Sequence, residues 1–242
     1  MLIQRPAQQL VRVVDGVGGG EQLVRFDVTQ VLAVGGGVLA WIDLRDGILL
    51  CDVLAEHFEM RLVRLPPLMP GNEASFGVGV GFDGTASPCL RPIRDVIFCA
   101  NGSIVKLVEM ERHHHVTPND DSGGGARTST RDFTWTATVF ERTVCSDKWE
   151  KRCTVNSVDL APAADSISLP DEIWSYEENK MNRVVCRDPM LGVYGENVVY
   201  MICRLDARDS KGWVLPVDTE RRELGKAMAF SAESSKYIEI LF

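Results

Sequence analysis

The chain has 242 residues, with 34 acidic against 26 basic side chains and a formal net charge of -8. That length suits one large all-β domain or two small ones and is ample to bury a core. The acidic balance argues against nucleic acid as a partner, since such domains usually carry a basic face, and no apolar run approaches the ~18 residues of a membrane-crossing helix.

The first strands are expected at Leu10–Val14 and Leu23–Val28, split by the glycine-rich turn Gly16–Gly20. The run Val31 to Pro67 then reads as three strands, Val38–Leu44, Ile48–Val53 and Met60–Leu65. Arg45-Asp46-Gly47 joins the first two, because an Asp-Gly step between apolar runs suits a hairpin through the positive φ that glycine tolerates. Pro66-Pro67 cannot donate backbone hydrogen bonds and ends the pairing. Met69 to Pro92 reads as loop, with a short strand at Ser75–Phe82.

Asp95–Cys99 and Ile104–Glu109 form a hairpin around Asn101-Gly102. Residues 112–131, with HHH, NDD and SGGGA, are expected to be a disordered loop. In Thr134–Phe140, Phe133, Trp135, Ala137 and Val139 alternate with three threonines, as in a strand with one buried and one wet face. Arg152–Val158 follows, then one short helix at Leu169–Glu178 with Pro170 in its first turn. Val184–Cys186, Asn197–Leu205, Trp213–Asp218, Ala227–Phe230 and Tyr237–Leu241 complete the strands. Long helical periodicity is nearly absent. The expected fold is all-β and mainly antiparallel, with at most one or two short helices. Turn signals spaced by about 8–12 residues suit a sandwich, barrel or propeller.

The seven cysteines (Cys51, Cys89, Cys99, Cys145, Cys153, Cys186 and Cys203) are odd in number and widely spaced. They read as reduced core residues, and no CxxC pair supports a zinc or thioredoxin-type site. The first residues, MLIQRPAQQLVRVVDG, lack the features of a secretory leader, so a cytosolic or nuclear setting is expected.

Gly79 to Gly84 spells GxGxxG, but Pro88 and Pro92 follow where the phosphate-holding helix would have to start. His113, His114 and His115, with Asp120 and Asp121, read as a solvated loop, since consecutive histidines do not converge easily on one ion. Asp43 and Asp52 flank the Asp-Gly turn and read as turn caps. With His57 they would be the first residues to inspect for a dispersed active site. Arg61 and Arg64 read as a solvated strand face. Asn101-Gly102-Ser103 fits a glycosylation sequon but reads as the hairpin turn. Trp41, Trp135, Trp149, Trp174 and Trp213 read as core or inter-sheet anchors. No catalytic, cofactor-binding or metal-binding residue is expected.

VGGGVLAWIDLRDGILLCDVL followed by VRLPPL resembles the signature of the plant domain of unknown function 1618 family. RDVIFCANGSIVKLVEM, FTWTATVFERTV with a later Trp149, and ENVVYMICRLDARDSKGWVLPVDTERRELGKAMAFSAE resemble later family segments, in order. The resemblance runs from about Thr29 to Glu233 and leaves residues 1–28 as an N-terminal remnant before a single domain over 29–242. The family's activity is undefined, so it implies no catalytic residue. Some members resemble F-box-associated proteins with propeller-like repeats, which implies a propeller or part of one, shortened in this chain, and a protein partner. The expectation is therefore a non-enzymatic protein-interaction module. The alternatives are an enzyme with a dispersed active site, or a degenerate truncated paralogue with no activity.

Overall fold

The computed structural model describes residues 9–14, 21–57, 59–76, 89–117, 130–164, 169–194 and 197–231. Three antiparallel meanders follow one another along the chain. The first sheet, A, holds β1 (Gln9–Val14), β2 (Glu21–Phe26), β3 (Gln30–Gly35), β4 (Val38–Asp43), β5 (Gly47–Asp52) and β6 (Met60–Arg64). Its order is β2-β1-β6-β5-β4-β3, and only the β1–β6 pairing is parallel. A short helix, α1 (Pro70–Phe76), leads to sheet B. That sheet is the meander β7 (Arg94–Cys99), β8 (Ile104–Thr117), β9 (Thr130–Thr143) and β10 (Glu150–Asn156).

After a 3-10 turn at Ser157–Asp159 come β11 (Ala161–Pro162) and the small hairpin β12 (Trp174–Ser175) and β13 (Lys180–Met181). Sheet C is built from β14 (Val185–Leu191), β15 (Val198–Arg204), β16 (Lys211–Asp218), β17 (Glu223–Leu224) and β18 (Met228–Ser231). β11 adds to it beside β17, and β18 pairs the first half of β16. Among the described residues no sheet closes into a barrel.

Sheet B is the middle layer, because alternate residues of its strands enter two different cores. Val96 and Phe98 of β7 and Val105 and Leu107 of β8 pack with Ile42, Ile48 and Val63 of sheet A. Their neighbours in sequence, Ile97, Val108 and Met110, pack with Val199, Met201 and Leu215 of sheet C. A third, smaller cluster (Phe26 and Leu49, with Trp41 beside them) covers the outer side of sheet A.

One buried ion pair joins sheet A to sheet B. Arg94 and Glu109 face each other across the β7–β8 ladder, and both side chains are fully buried, with Nη2 to Oε2 at 2.6 Å. Arg94 Nε also donates to Glu109, Nη1 donates to the Leu44 carbonyl at 3.0 Å, and Nη2 is shared with the Pro66 and Pro67 carbonyls at 3.0 and 2.9 Å. The other Glu109 oxygen accepts the Met69 amide at 2.8 Å and Asn72 Nδ2 at 2.7 Å. Burial lowers the Arg94 pKa from its usual value, and Glu109 opposes that shift. Trp149 adds a second tie. Its Nε1 donates to the Arg64 carbonyl at 2.8 Å, and Arg142 lies 5.6 Å over its ring.

Several expectations change. Residues 112–117 are strand, paired with 130–135 from Arg112↔Trp135 to Thr117↔Thr130; residues 118–129 lie outside the described ones. Ser75–Phe82 is not a strand where described. Pro70 opens a helix there instead, pinned to β8 through Asn72. Leu169–Glu178 is not a helix. Ile173 and Trp174 close one turn on the Pro170 carbonyl, and burial then draws both into the core, leaving a hairpin that turns at Asn179 with φ +50°. Gln30–Gly35 is a strand that the sequence reading did not separate. Thr138 is as buried as its neighbours, because the second face of β9 is not wet.

The expected Asp46-Gly47 turn is present, but Gly47 does not adopt positive φ there. The Asp43 carboxylate holds the turn instead, accepting the Arg45 and Asp46 amides. Glycine is required at 47 for space, since a Cβ would lie 2.7 Å from the Val63 carbonyl oxygen. Gly47→Ala is expected to cost about 1–3 kcal/mol in urea unfolding, because backbone on the facing strand must give way. A variant within about 0.3 kcal/mol of wild type would contradict this close approach.

Candidate functional site

Besides the Arg94–Glu109 pair, two further polar regions interrupt the apolar layers among the described residues. The first is a small, shallow cleft between the sheet C side of β8–β10 and the strands of sheet C. Lys106, Glu141, Arg152, Cys153, Asn197 and Thr219 line it. The register puts Lys106 opposite Glu141. Arg152 bonds Glu141 at 2.6 Å, and Lys106 Nζ lies 3.8 Å from the other carboxylate oxygen. Hydrogen bonding to Glu141 raises the Arg152 pKa. Thr219 Oγ1 donates to the Asn197 carbonyl at 2.8 Å. Burial pushes up the pKa of the Cys99 thiol, which senses Lys106 and Glu141, and a thiol so raised is a poor nucleophile. Both cations of the cleft are thus drawn to one carboxylate, and its hydroxyl donor is already engaged.

The second region is a hydrogen-bond chain on the far half of sheet B. His113 Nε2 lies 3.0 Å from Thr136 Oγ1, which donates to Asn156 Oδ1 at 2.8 Å. Asn156 Nδ2 donates to Asp159 Oδ2 at 3.0 Å. A hydroxyl has one proton, and Thr136 commits it to Asn156, so His113 must be the donor to Thr136. That direction is the reverse of what an activated hydroxyl nucleophile needs, where the histidine accepts the proton. The chain orders the edge of the sheet and ends on a carboxylate.

Asp95 links the cleft to the middle layer. It accepts the amide of Leu191, itself a cleft residue, at 3.1 Å. Burial raises the Asp95 pKa to about 6, against the opposing pull of the Leu191 and Val96 amides and of Arg91.

The residues singled out from the sequence do not converge. Asp43 is buried as a turn cap, whereas Asp52 is exposed and accepts the Leu54 amide at 2.9 Å. His57 is exposed, and none of the three lines the cleft. Arg61 and Arg64 are exposed on β6. Gly79–Gly84, Asp120 and Asp121 lie outside the described residues. Trp135 and Trp174 are in the core, with Trp213 packed against it, while Trp41 packs on the outer cluster. Asn101 does form the hairpin turn, with φ +53°. Cys89 and Cys145 are exposed and so depart from the expected core placement. Sequence reasoning missed Lys106, Glu141 and Arg152, because their meeting depends on the β8–β9–β10 register across a long connection. Arg94 and Glu109 left a usable signal, since folding the hairpin about Asn101-Gly102 sets them opposite each other.

Residues 41–200 match a family model described as protein of unknown function (DUF1618). The chain belongs to the DUF1618 family. The DUF1618 match begins at Trp41 in β4 and ends at Tyr200 in β15, inside the Thr29–Glu233 span read from the sequence. It includes the Arg94–Glu109 pair and the His113–Asp159 chain, and stops before Thr219 and β18. No curated protein and no solved structure matches the chain. No helix among the described residues is long and apolar enough to cross a membrane.

Neutral Asp95 is the form the fold favours. Its contribution is therefore fully present below the unfolded value of 3.8 and is lost as pH rises through about 6. At pH 7.5, Asp95→Asn is expected to raise stability by about 1–3 kcal/mol, seen as a higher Tm by calorimetry. Near pH 3.5 the variant and wild type should melt together. Equal differences at the two pH values would contradict the assignment.

Proposed function

We propose that this DUF1618 chain is a protein-interaction module that receives an extended peptide along β18. The observation that carries this reading is the contrast between two sheet edges. β10, the outer strand of sheet B, presents Glu150, Lys151 and Arg152, and its register breaks between Lys151 and Cys153. Charges and a bulge are the devices by which edge strands avoid pairing with other chains. β18 has neither. It reads Met228-Ala229-Phe230 ahead of Ser231, and its described ladder is with β16 on one side.

The surroundings of β18 suit an apolar strand. Met228 is 47% exposed, and Leu205, in the turn that leads to β16, is 54% exposed. Phe230 lies across from Gly212, with the Arg204 guanidinium 5.5 Å from its ring. Addition of a strand would supply main-chain hydrogen bonds, while the exposed apolar side chains would select the partner. The reading of the three meanders as blades of a propeller-like domain is a separate part of this proposal, supported by the succession of antiparallel meanders along the chain.

The test is capture from an extract of the source tissue, comparing wild type with Met228→Lys and Ala229→Lys. Both residues are exposed, so the variants should keep the wild-type Tm within a few degrees. A reproducible partner retained by wild type and lost by both lysine variants is the expected result. A partner set unchanged by the two charges, or no partner for folded wild-type protein, would overturn the proposal.

A further inference from the structure

Cys186 on β14 and Cys203 on β15 stand directly opposite each other in the antiparallel ladder. Their Sγ atoms are 2.9 Å apart, and the residues are 2% and 0% exposed. Opposed residues of an antiparallel pair have Cα atoms about 4.5 or 5.5 Å apart, and both values fall in the range a disulfide spans. The other five cysteines sit elsewhere. Cys89 and Cys145 are exposed, Cys51 lies in sheet A, and Cys99 and Cys153 are on strands of sheet B.

We propose that Cys186 and Cys203 are a disulfide-forming pair, a modification site that staples β14 to β15 under oxidising conditions. The oxidant class is a low-molecular-weight disulfide such as glutathione disulfide. One cysteine thiolate attacks its S–S bond, forming a mixed disulfide and releasing one glutathione thiol. The second cysteine then displaces the second glutathione. Two cysteine thiols and one glutathione disulfide become one protein disulfide and two glutathione thiols, so atoms and electrons balance.

The same burial sets the timing. The close Cys186 thiol and loss of solvent push the Cys203 thiol well above its ordinary pKa, which suppresses the reactive thiolate in the closed fold. The pair therefore oxidises when β14 and β15 separate or before they first pair. Where β14 borders β7, the Asp188 amide donates to the Pro92 carbonyl and the Leu191 amide to Asp95. A staple there would fix the edge of sheet C that faces the middle layer.

The full chain is unfolded in urea and refolded in a glutathione and glutathione-disulfide buffer, then alkylated and mapped by peptide mass spectrometry. A parallel sample meets the same buffer while folded. The expected result is a Cys186–Cys203 linked peptide after refolding, with slower formation in the folded sample. The linked form should melt higher, on the order of 5 °C, and dithiothreitol should reverse the shift. Cys186→Ala should abolish both the linked peptide and the shift. The peptide map alone decides the matter if that variant does not fold. Cys186 and Cys203 both recovered alkylated, held as glutathione adducts, or linked to other cysteines after refolding would overturn the proposal.

Discussion

The structure depends on a single buried charge pair placed where two sheets and a helix meet. Arg94 spends its guanidinium donors on Glu109 and on three carbonyls of sheet A and its exit, Leu44, Pro66 and Pro67. Glu109 returns its second oxygen to Met69 and Asn72 at the start of α1. Neither charge reaches water, so each would be costly alone, and every nitrogen of the Arg94 guanidinium and both Glu109 oxygens have a partner. The double proline acquires a role here beyond ending a strand. Pro66 and Pro67 lack amide donors, but their carbonyls are the acceptors that bring the end of β6 to the middle sheet.

That arrangement explains why sheet B tolerates polar groups on strands whose two faces are both covered. On the sheet A side, Glu109 pairs with Arg94, and Thr138 bonds Thr154 at 3.1 Å. Further along, His113, Thr136 and Asn156 carry their bonds out to Asp159 at the rim. On the sheet C side, Lys106 and Glu141 pair at the edge of the apolar core. Each polar group in these chains has a partner in the same layer, as a low-dielectric interior demands. The cleft therefore has the character of a satisfied structural junction, which is why the binding proposal rests on a strand edge.

Much of this was legible in the residues. Alternation, Gly-rich turns and the Pro-Pro stop located most strands of all three sheets, and the family resemblance covers the stretch that the family model matches. What local pattern could not express was context. Gln30–Gly35 does not separate as a strand in the sequence, yet it pairs antiparallel with β4, and Gln30 also donates to the Val96 carbonyl of β7. The histidine run looks polar and loose, yet strand pairing continues through it opposite residues 130–134. Ile173 and Trp174 follow a plausible helix start, but the core claims both side chains. The cleft residues come from distant strands, and only the register brings them together.

The most direct test of the account is a double-mutant cycle on Arg94 and Glu109, read by urea unfolding of wild type, Arg94→Met, Glu109→Leu and the double variant. Each single change should cost about 3–5 kcal/mol, because it leaves the partner's charge buried and unpaired. The double variant should be more stable than the sum of the two losses by at least about 2 kcal/mol. Single losses below about 1 kcal/mol with a coupling energy near zero would show that the sheets meet without this pair, and would contradict its central place in the fold.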